Sequence, residues 1–239
     1  MKSLLLTIVL LKAMLIASAW FFFFPSFDQT STASEPQPTV TPAPRKDDAI
    51  NRKTSEPYTG ELSIFEEPDR ENNLQINRVM DILKISDRKT VADIGAGSGW
   101  FTVRAAKRVG DKGKVFAVEI NQDYIDHINQ RAKTEKLINI TTVLGKTDDP
   151  TLPRSTVDAV LILKTYHEIA EPVRFLKNLR PGLRKDALVG IIDRNGTGDD
   201  HGISKETVVA EAKLAGFTLK EEHDFVKGDG MDYFLVFTR

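Results

Sequence analysis

The amino-acid sequence predicts a doubly wound α/β domain with a mostly parallel sheet, and three observations carry that expectation. From about residue 72 onward, short apolar runs alternate with segments of helical period. The first apolar run leads directly into glycines at every second position, Gly95, Gly97 and Gly99. The last two strand-like runs are joined by a loop too short for a parallel crossover, so the final strand must run antiparallel to its neighbour. Strands alternating with helices otherwise imply a parallel sheet covered on both faces.

Two segments precede this domain. Residues 1–27 hold an almost unbroken apolar run, Ser3 to Phe27, interrupted only by Lys12. As a helix that run is long enough to span the ~30 Å hydrocarbon core of a bilayer, with Trp20 and the Phe21 to Phe24 run towards one interface. A cleaved signal peptide is the alternative, with Lys2 as its basic start and Ala17-Ser18-Ala19 as the small-residue cleavage site. Lys12 and the apolar continuation after Ala19 favour an uncleaved anchor. Lys2 precedes the run, whereas Asp28 and Glu35 follow it before any basic residue, so the charge rule keeps the N-terminus cytoplasmic and the domain on the extracytoplasmic side. Residues 28–57 are rich in Pro, Ser and Thr, and Pro36, Pro38, Pro42 and Pro44 favour an extended spacer. The globular domain is expected over 58–239.

Within that domain, Leu74, Val79, Ile82 and Leu83 mark one helical face before Ser86. Thr90 to Ile94 reads as a buried strand, and Trp100 to Val109 as a helix ended by Gly110. Lys114 to Glu119 is a second strand. A helix from Asn121, its expected N-cap, to Lys136 and a strand from Ile140 to Leu144 follow. Val157 to Leu163 and Leu188 to Asp193 are further apolar runs, separated by a helix from about Glu171 to Leu179. The chain closes with a helix from Ser204 to Ala215 and strands at Thr218 to Phe225 and Tyr233 to Thr238, which makes seven strands.

The turn after the first strand carries the chemistry. Asp93 stands at the strand end immediately before the glycines, and Glu119 closes the second strand ~20 residues after the last of them. Glycines let the backbone bend and approach a ligand, and a carboxylate ending the second strand can accept both hydroxyls of a ribose. A nicotinamide or flavin dinucleotide site would need G-x-G-x-x-G, but Trp100, Phe101 and Thr102 occupy the region of a third glycine. Asp93 would also repel a pyrophosphate, whereas it suits a ligand bearing an ammonium and a sulfonium.

The segments D-I-G-A-G-S-G, A-V-E-I and V-L-G-K-T-D-D-P, with the closing antiparallel strand, resemble class I S-adenosylmethionine (SAM)-dependent methyltransferases across residues 72–239. The resemblance implies a Rossmann-like seven-stranded sheet, SAM as cofactor and methyl transfer as the activity. It implies that Asp93, Gly95, Gly97 and Gly99 line the methionine end and that Glu119 binds the ribose. The loop after the third strand would reach the adenine. Many relatives carry Gly-Asp-Ala in that loop; here Gly145 is followed by Lys146 and Thr147, and Asp148 is the residue assigned to the adenine. Ile120 is assigned an apolar contact with its face. Tyr166-His167-Glu168-Ile169, after the fourth strand, is similar to the small-molecule branch that includes ubiquinone and menaquinone C-methyltransferases, so a small-molecule acceptor is expected. Two other functions stand beside this one: a related domain that binds SAM without catalysis, and an NAD(P)-dependent oxidoreductase.

Methyl transfer from a sulfonium is an in-line displacement that needs mainly alignment and a dry site. His167 is the candidate base or acceptor-orienting group, because it follows the fourth strand at its carboxyl end. The alternative role for it is to satisfy loop backbone. The loop from Arg194 to His201 follows the fifth strand at the same edge and reads first as solvated surface, second as a wall of the substrate pocket. Phe65 to Asn73 is a candidate lid.

Composition narrows the field further. A net charge of −1 with no run of Lys and Arg offers no track for a nucleic-acid backbone. The chain has no cysteine, which excludes disulfides, thiolate metal sites and a cysteine nucleophile. The four histidines, His127, His167, His201 and His223, lack the i, i+4 spacing of a helical zinc pair, so no metal site is expected.

Overall fold

A run of apolar residues between two turn signals becomes a central strand only if both of its faces are covered, and Thr90–Ile94 (β1) and Val157–Leu163 (β4) are buried along almost their whole length. The computed structural model describes residues 50–54, 58, 60–197, 201–226 and 233–239. The hydrophobic segment 1–27 and most of the linker lie outside the described residues. No helix among the described residues is long and apolar enough to cross a membrane.

Lys114–Glu119 (β2), Ile140–Leu144 (β3), Leu183–Asp193 (β5), Thr218–His223 (β6) and Tyr233–Thr238 (β7) complete a seven-stranded sheet in the order β3-β2-β1-β4-β5-β7-β6. Strands β1 to β5 are parallel, and β7 lies between β5 and β6 and is antiparallel to both. The two edge strands, β3 and β6, are also the ones without a fully buried residue. β6 reads TLKEEH with every second residue exposed, and its charges protect an open edge from further pairing.

Arg70–Leu74 (α1), Ile76–Ile82 (α2) and Trp100–Val109 (α3) pack on one face, where Leu74, Val79, Met80, Phe101 and Val109 meet Val91, Leu161 and Phe234. Gln122–Thr134 (α4) continues that layer through Ile128, which packs with Ala117 and Ile140. Pro172–Leu179 (α5) and Lys205–Leu214 (α6) cover the other face, where Val173, Leu176, Val208 and Ala212 meet Ala92, Val160 and Leu235. Adjacent residues of β1 and of β7 therefore go to opposite layers, as the pleat requires.

The expected boundaries hold closely at β1, α3, β2, β3, β4 and β7. Asn121 is an N-cap, its side chain accepting from the Asp123 amide at 2.8 Å. Three differences have local causes. The helix expected before Ser86 is two helices, because Gln75 takes a left-handed conformation (φ 47°) between them. α4 ends at Thr134, ahead of Lys136 at φ 56°. β5 begins at Leu183 because Leu183 pairs with Val157 across a register shift, leaving Arg184, Lys185 and Asp186 exposed before the apolar run resumes.

Residues ahead of the expected domain start at 58 also make contacts with it. The Arg52 guanidinium donates to both Glu211 oxygens on α6, each at 2.8 Å, and to the Tyr166 carbonyl at 2.5 Å. The Tyr166 hydroxyl donates to the same carboxylate at 2.9 Å. Residues 50–54 are thus part of the packed structure. The polar composition around Arg52 gives no local sign of a partner on α6.

Candidate active site

Strand order reverses between β1 and β4, and in such sheets the crevice at the carboxyl ends of the strands beside this point is where ligands bind. A cavity of about 930 Å³ opens there. Its walls include the ends of β1, β2 and β4, the glycine turn, and the loops after β3, β4 and β5.

The turn is shaped by sterics. Gly95, Gly97 and Gly99 all have positive φ, at 69°, 54° and 77°. A Cβ on Gly95 would come within 2.3 Å of the Thr165 hydroxyl, so the turn could not sit this close to the loop after β4 with any other residue there. The Gly95 and Ala96 amides both donate to the Val118 carbonyl, at 3.0 and 3.1 Å, which locks the turn to the end of β2.

Glu119 completes that lock. Its carboxylate accepts from the Gly97 amide at 2.8 Å and from the Ile120 amide at 2.9 Å. Each carboxylate oxygen still has a lone pair for an outside donor. Burial raises the Glu119 pKa, against the pull of the Gly97, Ile120 and Asn121 amides.

Asp93 is 2% exposed and accepts a 2.6 Å hydrogen bond from the Thr102 hydroxyl in the first turn of α3. Burial pushes its carboxyl up to about 7, with Thr102 opposing the rise and the nearby Glu119 charge adding to it. A buried carboxylate in this state is poised to receive a cation. Arg70, lying over the Trp100 ring at 4.8 Å, partly offsets the negative charge.

The expected lid segment does lie at the turn. Phe65 would touch a Cβ on Gly97 at 3.5 Å, and both residues line the cavity. Ahead of α1, Glu66 accepts from the Ser98 hydroxyl at 2.6 Å and from Arg131 on α4, fastening the segment across the glycine turn. Trp100 and Phe101 are buried where a dinucleotide motif would carry its third glycine.

Asp93, Gly95, Gly97, Glu119, Ile120 and His167 all line the cavity. Gly99 starts α3 behind it, facing Ile128. Ile120 is half exposed at the rim, as a contact for a flat ring would be. Asp148 is a correction. It pairs with Arg174 on α5 at 3.1 Å, and the loop turns Lys146 and Thr147 to the cavity in its place.

His167 is 4% exposed, and its Nδ1 lies 2.9 and 3.0 Å from the two oxygens of Asp193, the last residue of β5. The His167 amide donates to the same carboxylate at 3.0 Å. Asp193 is fully buried, and its contact with Nδ1 leaves Nε2 as the ring nitrogen not engaged by Asp193. Glu168 follows directly; burial pushes its carboxyl up to about 7, with His167 pulling it down and Glu119 and Asp193 adding to the rise. The loop after β5, expected first as solvated surface, brings Arg194 and His201 to the same wall.

Thr102 and Asp193 are absent from the sequence-based candidates. Asp193 had a signal: an acid ending a strand that is otherwise apolar from Ala187 must find a buried partner. His201 lies in the loop whose second reading was a wall of the substrate pocket.

Residues 91–186 match a known family of methyltransferase domains. The chain is 34% identical over 80 residues to a "Probable cobalt-precorrin-6B C(15)-methyltransferase (decarboxylating)" of Sulfurisphaera tokodaii, covering 33% of this chain and 42% of that protein. It is 28% identical over 104 residues to a protein-L-isoaspartate O-methyltransferase of Pyrococcus horikoshii, covering 42% of this chain and 46% of that one. The chain thus spans less than half the length of these curated relatives. Among solved structures, a SAM-dependent methyltransferase from Aquifex aeolicus superposes with a TM-score of 0.67 at 22% identity, covering 74% of this chain and 95% of that one. The strand order, the matched residues 91–186 and the acid-flanked glycine turn agree: residues 91–186 match a methyltransferase domain, and the fold is that of SAM-dependent methyltransferases.

Proposed function

We propose that the domain transfers a methyl group from SAM to a small-molecule acceptor. The observation that carries this reading is the pair of buried carboxylates, Asp93 and Glu119, at the ends of adjacent parallel strands on either side of a glycine turn. Asp93 receives the cationic methionine end and Glu119 the ribose hydroxyls, while Ile120 covers one face of the adenine. Bound there, the cofactor supplies an electrophilic methyl on a sulfonium.

The rest of the wall serves the acceptor. His167, held by Asp193 with Nε2 available, orients it, and Phe65 and the segment fastened by Glu66 exclude water from the turn. The cavity, near the top of the ~300–1,000 Å³ range of small-molecule sites, leaves room for a second small reactant beside the cofactor.

The test is calorimetric titration of the purified chain with SAM, S-adenosylhomocysteine and NAD, followed by methyl-labelled SAM offered with a fractionated extract. Heat with the first two, none with NAD, and label in the small-molecule fraction are expected. Absence of heat with both nucleosides would sink the assignment, and label in the protein fraction alone would sink the acceptor class.

The N-terminal segment bears on a second reading. We propose that residues 1–27 tether the domain to a membrane, on the extracytoplasmic side by the charge rule. SAM is made in the cytoplasm, so a domain on that side would bind a nucleoside without turning it over. Protease accessibility on intact cells separates the two placements, and a protected domain removes the second reading.

A further inference from the structure

We propose that His167, Glu168 and His201 bind one divalent first-row transition-metal ion at the acceptor end of the cavity. One nitrogen of each histidine and one oxygen of Glu168 lie within 4.8 Å of one another. Metal bonds of ~2.0–2.2 Å place donors roughly 3–4 Å apart around a shared ion, so small side-chain rotations close this set. His201 is exposed and free to make most of that adjustment.

Three further features fit an ion. His167 Nε2 stands 3.9 Å from Glu168 Oε1, too far for a hydrogen bond and suited to two atoms bridged by a cation. His167 Nδ1 is committed to the buried Asp193 carboxylate, which aims Nε2 at the gap; carboxylate–histidine pairs perform this service behind metal ligands. The His167 and His201 rings meet edge to face, with centroids 6.0 Å apart, so they approach the gap from different directions.

The donor set decides the kind of ion. Two imidazoles and one carboxylate suit zinc, iron(II) or a similar ion over magnesium or calcium, which prefer all-oxygen shells. Because all three residues line the cavity, the remaining coordination positions face it and are open to an oxygen donor on the acceptor. That last role rests on the methyltransferase reading; the ion site itself does not. The ligands come from the loops after β4 and β5, so the helical spacing used to exclude metal from the sequence could not detect them.

Full-length protein, stripped with a chelator and returned to chelator-free buffer, is titrated with Zn²⁺ alone and Mg²⁺ alone by calorimetry. One Zn²⁺ per chain with much weaker Mg²⁺ binding is expected, and His201→Ala and Glu168→Gln should each weaken Zn²⁺ binding about tenfold or more. Lack of stoichiometric Zn²⁺ binding, or affinity retained in both variants, overturns the site. S-adenosylhomocysteine binding is measured on the same samples. Protein that binds the nucleoside but not Zn²⁺ refutes the ion alone, and the reverse refutes the cofactor reading alone.

Discussion

A buried carboxyl group is held at a cost that Arg70 only partly offsets, and Asp93 shows what that cost serves. Its folded pKa of about 7 lies above the ordinary 3.8, so the cofactor-free fold binds more protons than the unfolded chain between those values. The contribution to stability is therefore fully present below about 3.8 and is lost as pH rises through about 7. Asp93→Asn removes this slope. The variant should gain thermal stability relative to the natural chain as pH rises from about 4 to about 7, with the two melting curves compared across that range. A cationic ligand prefers the ionised carboxylate, so SAM affinity should rise as pH passes about 7, and the Asn variant should bind SAM at least about tenfold more weakly, a loss of ~1.4 kcal/mol. A pH-independent affinity in the natural chain would place the cation elsewhere. Glu119→Ala should also weaken binding about tenfold, and because its carboxylate ties down the Gly97 amide it should loosen the turn as well, seen as faster amide exchange at Gly97.

The glycine turn is held by backbone bonds to Val118 and by close packing on the loop after β4. Gly95→Ala meets both obstacles at once: a φ of 69° that an L side chain rarely adopts, and the Thr165 side chain in the space its Cβ needs. Destabilisation of roughly 1–3 kcal/mol in urea unfolding is expected. Combining it with Thr165→Gly should recover part of that loss, whereas Gly95→Ala alone leaving stability unchanged would contradict the packing. α3 was legible as a helix between Gly99 and Gly110 because glycines at both ends and an apolar face are local signals. The break at Gln75 was not, since its left-handed backbone has no residue signature such as glycine.

Across the molecule, Arg52 ties the start of the packed region to α6 and to the loop that carries His167. The pair with Glu211 is largely buried, with side chains 14% and 5% exposed. Removing one partner leaves a buried charge uncompensated, so Arg52→Met should destabilise the full chain by ~3–5 kcal/mol, read from denaturant unfolding. Arg52→Met with Glu211→Gln should recover much of it. A loss no larger than that of an exposed ion pair would show that residues 50–54 are not integral to the domain.

Seven strands, their helices, the acid before the glycines and the acid ending β2 were all readable in order, because burial period, caps and turn chemistry act over a few neighbouring residues. The pairing of His167 with Asp193, the approach of His201, the diversion of Asp148 to Arg174 and the bond from Arg52 to Glu211 belong to the folded state alone. His167 and Asp193 are 26 residues apart and Arg52 and Glu211 are 159 apart. Contacts at such separations depend on strand order and on which layer each loop leaves, and those are set by the packing of the whole sheet.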